Sequence, residues 1–403
     1  MSSLAHSLAA ESALQPHAQV LTPTVHPAGR PRPQRMAYGD AVRVIGTVAV
    51  VMGHVCDIPL FDSRLNPSSL DWWVCNIVDS ICRFAVPVYI MLSGALLLDP
   101  SREESPTVFY RKRLTRIGIP LFFWSAFFLL FGLYYTGWIA DGRTAMVLLV
   151  TGEPYPHLHF IFRIAGLYAL TPAFRLFVKH ASRSMLGSTV FILLGIWCAD
   201  SVVNGFMGTK LSAFARFAPF VAYFLAGYYL RETYVSRRAL AWCWVVMLAC
   251  MATLAGVTGI LCQKFGVHAY PSISMLLLDF LSPVRIPLSI CAWIILVNMF
   301  GRRDGGGEAN TRAHRLARWL APTTLGLYLV HPMFRELLKC PYPLRDFAVQ
   351  HLHMSFLSNW GEITAIWPNV FLGIPLVTAI VYLASLGVVL VIQRTPYLRR
   401  IVE

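Results

Sequence analysis

Three stretches of this chain, Ile117 to Ala140, Ala239 to Leu261 and Ile363 to Ile392, run on without a single charged side chain. Each exceeds the roughly 20 apolar residues that an α-helix needs to cross the hydrocarbon core of a bilayer. A soluble domain has no place for three such segments. Composition agrees over the whole length: 56% of the 403 residues are hydrophobic and 13% charged, against about 45–50% and 25% in ordinary soluble domains. A cytosolic enzyme and a secreted domain are excluded. So is disorder over most of the chain, because disorder needs low hydrophobicity.

Seven further segments are apolar but interrupted by ionisable residues: 38–60, 76–98, 157–178, 186–203, 214–230, 272–299 and 319–338. With the three clean runs, the last starting near Pro368, they predict an all-α polytopic protein of about ten transmembrane helices. The short run Thr144 to Val150 is too brief to cross and is expected to be interfacial or re-entrant. The arginine distribution tests this threading, because cytoplasmic loops carry the Lys/Arg excess. With the N-terminus inside, and with Arg175 and Arg335 near span ends counted with the adjoining inner and outer loops, the inner segments hold 22 of the 34 lysines and arginines, the outer segments 7, and 5 fall within spans. Both termini are therefore expected in the cytoplasm. The net charge of +14 reflects topology, helped by anionic lipid, and calls for no nucleic acid.

Residues 1–37 are rich in Ala, Pro, Ser and His and lack the apolar core of a signal peptide. They read as a disordered cytoplasmic tail, followed by a membrane domain over 38–394 and a C-terminal cytoplasmic tail over 395–403. Residues 301–318 read as a flexible inner loop. Its Gly-Gly-Gly lacks the Gly-Lys-Ser/Thr of a phosphate-binding loop. The nine cysteines show no Cys-x-x-Cys spacing and read as small buried hydrophobes. No zinc-ligand spacing and no Gly-x-Ser-x-Gly elbow is present, so no metal site is expected.

Charges at bilayer depth are costly and usually line a cavity or pair with one another. Arg43 lies near the inner end of the first span and His54 follows eleven residues later. Eleven steps of 100° return to nearly the same face, about 17 Å further along the axis. Asp79 and Arg83 form an i,i+4 pair that can neutralise itself. His157, His159 and Arg163 sit on the fourth span, Asp279 and Arg285 on the eighth, and His331 on the ninth. His54, Asp79, Arg83, Arg163, Asp279 and His331 are thus expected at one depth, as a water-accessible polar site. A second group marks the inner face, where Arg113 and Arg116 precede the third span as i,i+3 neighbours. Two planar guanidinium groups so placed suit one phosphate ligand.

Arg43 with ten intervening residues before His54, followed by Arg113-x-x-Arg116, resembles the acyltransferase 3 family of bacterial membrane acyltransferases. Further matches are Arg83-Phe84-Ala85-Val86-Pro87-Val88-Tyr89 leading to Ser93-Gly94, and His159-Phe160-Ile161-Phe162 before Leu167-Tyr168. Gly227-Tyr228 and Leu327-Tyr328-Leu329-Val330-His331-Pro332 complete the set. It spans about residues 38–392. The resemblance implies transfer of an acyl group, usually acetyl, from cytoplasmic acyl-CoA to a sugar hydroxyl of a surface glycan, an exopolysaccharide or its lipid-linked precursor. It implies a bacterial inner membrane location, no bound cofactor, acyl-CoA as co-substrate, and polysaccharide-synthesis proteins as partners.

Carried over, His54 is the essential histidine, Arg43 its partner, and Arg113 and Arg116 engage the donor. Phe160 stands where family members often have Trp. No soluble domain follows the tenth span, so the reaction is expected to finish within the membrane unit or with another protein. Chemistry fits: a thioester is already activated, and what remains is to deprotonate a hydroxyl and stabilise an oxyanion. Asp57 or Asp79 is expected to orient the His54 ring, and Arg83 or Arg163 to stabilise the oxyanion, with Asp279 and His331 completing the acceptor site. The rival reading is a proton-coupled exporter of a glycan or small solute. Against it, the chain shows no inverted repeat and no pair of Gly/Pro-broken helices in corresponding halves.

Overall fold

The computed structural model describes residues 37–61, 65–100, 104–137, 139–207, 217–267, 277–301, 312–338 and 369–403. All of the expected 1–37 tail but Ala37, which begins the first helix, and most of the loop over 301–318 lie outside them. Among the described residues the chain is all helix: α1 (Ala37–Phe61), α2 (Leu70–Cys82), α3 (Ala85–Leu97), α4 (Pro106–Arg113), α5 (Ile119–Tyr134), α6 (Gly142–Val150), α7 (His159–His180), α8 (Arg183–Met207), α9 (Val221–Tyr229), α10 (Arg237–Phe265), α11 (Arg285–Phe300), α12 (Arg312–Leu320), α13 (Thr324–Leu338) and α14 (Val370–Arg394). Seven stretches among them are long and apolar enough to cross a membrane, with α11 a shorter apolar helix. This is a polytopic membrane protein.

The helix starts are written in side-chain oxygens. Ser69, Ser105, Asp141, Ser236 and Asn369 each accept a hydrogen bond from the backbone N–H three residues on, opening α2, α4, α6, α10 and α14. Such a cap satisfies one of the four donors a helix leaves unpaired at its start. The nine-residue α6 coincides with the run expected to be too short to cross.

Several expected spans depart from simple helices, among them the second, the third and the eighth. The second begins at Leu70, earlier than its hydropathy indicated, and breaks at Arg83–Phe84 between α2 and α3. Pro87 has no N–H to offer the carbonyl four residues back, and that carbonyl, on Arg83, accepts instead from Arg285 Nε at 2.9 Å. The third span runs from Pro106 to Tyr134 with a π-helical turn at Leu114–Gly118 between α4 and α5. Pro120 removes the donor that the Arg116 carbonyl would otherwise use, and the ladder widens there. The eighth is not one helix: Asp279 lies in an irregular stretch ahead of α11, whose first turn holds Arg285. Ser282 Oγ accepts from Arg285 N–H at 3.1 Å, and Pro283 favours a start there. Non-helical backbone at this depth is tolerated where protein surrounds it, and Leu278, Leu281 and Ser282 are all buried.

Helix α1 is the hub, packed against α2, α3, α11, α12, α13 and α14. The tightest crossing joins α3 to α9. A Cβ on Gly94 would lie 1.8 Å from the Phe224 carbonyl oxygen, and one on Gly227 would lie 1.9 Å from that of Met91, so only glycine lets the two backbones meet. Large apolar side chains such as Phe122, Phe191, Trp242, Leu248, Phe371 and Leu383 face outward, where lipid would cover them. Asp79, Arg285, His157 and His331 are buried. The C-terminal tail docks: Val402 is buried and Trp124 Nε1–H donates to the Ile401 carbonyl at 2.8 Å.

Candidate active site

Three imidazoles meet between α1, α13 and the turn that precedes α7. The His54 and His331 rings stack with centroids 5.3 Å apart and planes 30° apart. The His157 ring stands edge-on to His331 at 5.7 Å, walled by Phe128 at 4.8 Å, Tyr155 at 5.6 Å and Tyr328 at 5.5 Å. The Tyr328 hydroxyl donates to the His157 carbonyl, pinning the turn to α13.

Each ring is held differently. His54 Nδ1 lies 2.8 Å from Asp57 Oδ2, one turn along α1. The carboxylate accepts, so in the neutral ring Nδ1 carries the proton and Nε2 the lone pair. His331 Nδ1 lies 2.8 Å from the Tyr328 carbonyl, which fixes the same tautomer, and its buried Nε2 has no hydrogen-bond partner. Both ring nitrogens of His157 are likewise buried and unpartnered. Buried polar atoms are nearly always satisfied, and a cluster of bare imidazole nitrogens is a place built to receive hydrogen-bonding groups.

Charged groups surround the rings. Arg335, in the turn after His331, donates to Glu336 Oε1 at 2.7 Å and to the His54 carbonyl at 3.5 Å. Both side chains are largely buried. Arg83 donates through Nε to Asp79 Oδ2 at 2.8 Å and through a second nitrogen to the same oxygen. The charges of Arg83 and Arg335 both act on Asp57. Beyond Arg83, Arg285 Nε–H reaches the Arg83 carbonyl and its guanidinium covers Phe280 at 4.1 Å. Arg163 lies over the same ring at 4.9 Å and over Phe220 at 4.8 Å. Asp279 Oδ1 accepts from Ser201 Oγ–H at 2.8 Å and from Leu281 N–H at 2.9 Å.

The six residues expected at one depth therefore divide. His54 and His331 touch, and Asp79 and Arg83 pair beside them. Arg163 and Asp279 belong to a neighbouring aromatic cluster, with Arg285 as the connection. Asp57, not Asp79, holds the His54 ring, because Asp79 is committed to Arg83. Arg335 is not an outer-loop cation but part of the site. Its spacing of four from His331 puts both on one face of α13, a signal the sequence carried. His157, Tyr155 and Glu336 complete the chamber. His159, in the quoted family motif, turns aside to the Pro156 carbonyl and Phe280.

The remaining candidates lie toward the other end of the bundle. Arg43 pairs with Asp40 at 3.1 Å, and its carbonyl accepts from Tyr89 OH at 2.6 Å and Thr47 Oγ1–H at 2.8 Å. Arg43 and His54 share one unbroken helix, so the 17 Å offset on one face holds as helical geometry. The Tyr38 hydroxyl donates to the Arg231 carbonyl at 3.0 Å and Arg231 approaches Asp99 at 3.8 Å, which brings the start of α1 and the ends of α3 and α9 together. Arg113 sits half-buried with its guanidinium over Phe109 at 5.2 Å and Tyr168 at 5.7 Å, and its Nε has no hydrogen-bond partner. Arg116, within the π turn, is exposed.

Among the described residues no group of His, Cys, Asp and Glu is arranged to hold a metal ion, and all eight described cysteines are free thiols. A family model described as an acyltransferase domain matches residues 36–392. No curated protein and no solved structure matches the chain.

Proposed function

Since the chain belongs to this acyltransferase family, we propose that it moves an acyl group, most simply acetyl, from cytoplasmic acyl-CoA to a sugar hydroxyl of a surface glycan, exopolysaccharide or lipid-linked precursor, in a bacterial inner membrane. The observation that carries this reading is the His54–Asp57 pair beside the bare nitrogens of His331 and His157. In this reading ten spans place the arginine-rich end in the cytoplasm together with both termini.

His54 acts as general base. Its Nε2 takes the proton from the acceptor hydroxyl as the oxygen attacks the thioester carbonyl carbon; the C–S bond then breaks and His54 returns the proton to the departing thiolate. Asp57 holds the tautomer and offsets the charge of the imidazolium. Arg83 serves the developing oxyanion, its guanidinium already oriented by Asp79. The donor lies along α1, with its phosphates at Arg113 and Arg116, its arm passing Arg43, and its acyl group at His54. His331, with Arg163 and Asp279 behind the first shell of charge, lines the acceptor side, and polysaccharide-synthesis proteins supply the acceptor.

Mass spectrometry of surface glycans from cells expressing the chain, or its His54→Ala variant, tests the assignment. The intact chain adds acyl-sized masses and the variant, present in the membrane at equal level, adds none. Wild-type acylation by the variant would reject His54 as base, and loss of polymer with unchanged chemistry would indicate export instead. Replacing Arg113 and Arg116 together by Ala is expected to weaken acyl-CoA binding at least tenfold in equilibrium titration of the purified protein; an unchanged Kd rules out their donor role.

A further inference from the structure

A cavity of about 200 Å³ opens between the stretch that follows α3, the start of α4 and the end of α7. Its walls include the flat faces of Pro100, Pro106 and Pro172, with Leu176, Glu104 and Lys179 completing the rim. Complete small-molecule sites usually measure about 300–1,000 Å³. This one holds one ring system, with the rest of any larger ligand outside it.

The floor is rigid. Phe109 is fully buried, with the Arg175 guanidinium over its ring at 4.9 Å and that of Arg113 at 5.2 Å. Arg175 is tied down by Nε–H to the Leu97 carbonyl at 2.6 Å and by a second nitrogen to Glu104 Oε1 at 3.3 Å. Lys112 Nζ reaches the other carboxylate oxygen at 2.8 Å. Burial opposes ionisation of Glu104, but Lys112 and then Arg175 outweigh it, and its pKa lies below the ordinary glutamate value. Glu104 is therefore a carboxylate with both nearby cations committed to it, and each oxygen keeps a further lone pair for a donor.

That chemistry selects. A phosphate inside the slot would face the Glu104 carboxylate, so phosphates belong outside, at Lys179, Arg113 and Arg116. A flat apolar heterocycle bearing an exocyclic amine fits: its faces meet proline and leucine, and its N–H donates to Glu104. Resting on the acyl-CoA reading above, we propose that this slot binds the adenine ring of the donor, with Glu104 accepting from its amino group. Arg113 then marks where the diphosphate leaves the slot toward Arg43.

Titration of the purified full chain in detergent with CoA, with 1,N6-etheno-CoA, whose amino group is blocked, and with 4′-phosphopantetheine, which lacks the nucleoside, tests this. CoA is expected to bind about tenfold more tightly than etheno-CoA, a difference of about 1.4 kcal/mol, and Glu104→Leu, which has no acceptor, to erase that preference. Leu176→Trp, which fills the slot from its exposed rim, is expected to weaken CoA about tenfold and leave 4′-phosphopantetheine unchanged. Equal affinity of the wild-type chain for CoA and etheno-CoA, or equal weakening of both ligands by Leu176→Trp, overturns the proposal while leaving the donor reading intact. Absence of any CoA binding by the wild-type chain overturns both.

Discussion

Asp57 follows His54 by three positions, and on an α-helix that spacing sets carboxylate and ring side by side on one face. The pair was open to sequence reasoning, as was Asp79 with Arg83, because helical periodicity fixes both. Tertiary structure decides between the two carboxylates, since Arg83 occupies Asp79 and leaves Asp57 to the ring. Asp57→Asn keeps shape but offers Nδ1 either an acceptor or a donor, so half of the tautomer control is lost. Turnover is expected to fall about 10²-fold or more, in the range general-base alignment supplies, with the donor Kd unchanged. Transfer of radiolabelled acetyl from acetyl-CoA into polymer by isolated membranes measures it; undiminished turnover would show that Asp57 does not act through His54. His157 is another matter. Apart from Tyr155, the rings around it come from α5 and α13, far along the chain, and no local spacing could have announced them.

At the scale of elements, hydropathy finds spans and misses their interruptions. The break at Arg83–Phe84, the π turn at Leu114–Gly118 and the irregular stretch before α11 each fall where proline removes a backbone donor, and each break sits beside a charged side chain of a candidate site. Their apolar composition is that of continuous helix, so an average over twenty residues passes straight across them. The α3–α9 crossing was equally invisible, since Gly94 and Gly227 belong to recognisable motifs but their partners are backbone atoms. Gly94→Ala or Gly227→Ala is expected to destabilise the protein by about 1–3 kcal/mol, the usual cost of overpacking, with a lower thermal midpoint in detergent. Gly256→Ala, in α10 where a Cβ meets nothing within 4 Å, is the control: the helix gains up to about 1 kcal/mol of propensity. Equal midpoints for all three variants would mean that the crossing is loose.

At the scale of the molecule, the chain separates charge by location. One end gathers Arg43, Lys112, Arg113, Arg116, Arg175 and Arg231, a cationic excess over the carboxylates Asp40, Asp99, Glu104 and Glu232 that pair among them. Deep in the bundle, Arg83, Arg335 and Arg285 are balanced by Asp57, Asp79 and Glu336 around three imidazoles. Such a division suits the proposed reaction, in which an anionic donor arrives from one side and a neutral polyol from the other. Which end faces the cytoplasm follows from the Lys/Arg bias alone, and that inference has its own test. Ser68 lies just before the cap of α2, at the end opposite the arginines, and is exposed, while Tyr397, 91% exposed, follows α14. In a Cys340→Ser background, a membrane-impermeant maleimide is expected to label Ser68→Cys in intact cells and Tyr397→Cys only after lysis. The reverse pattern would invert the protein, put the arginine cluster outside where no acyl-CoA is found, and overturn the proposed donor.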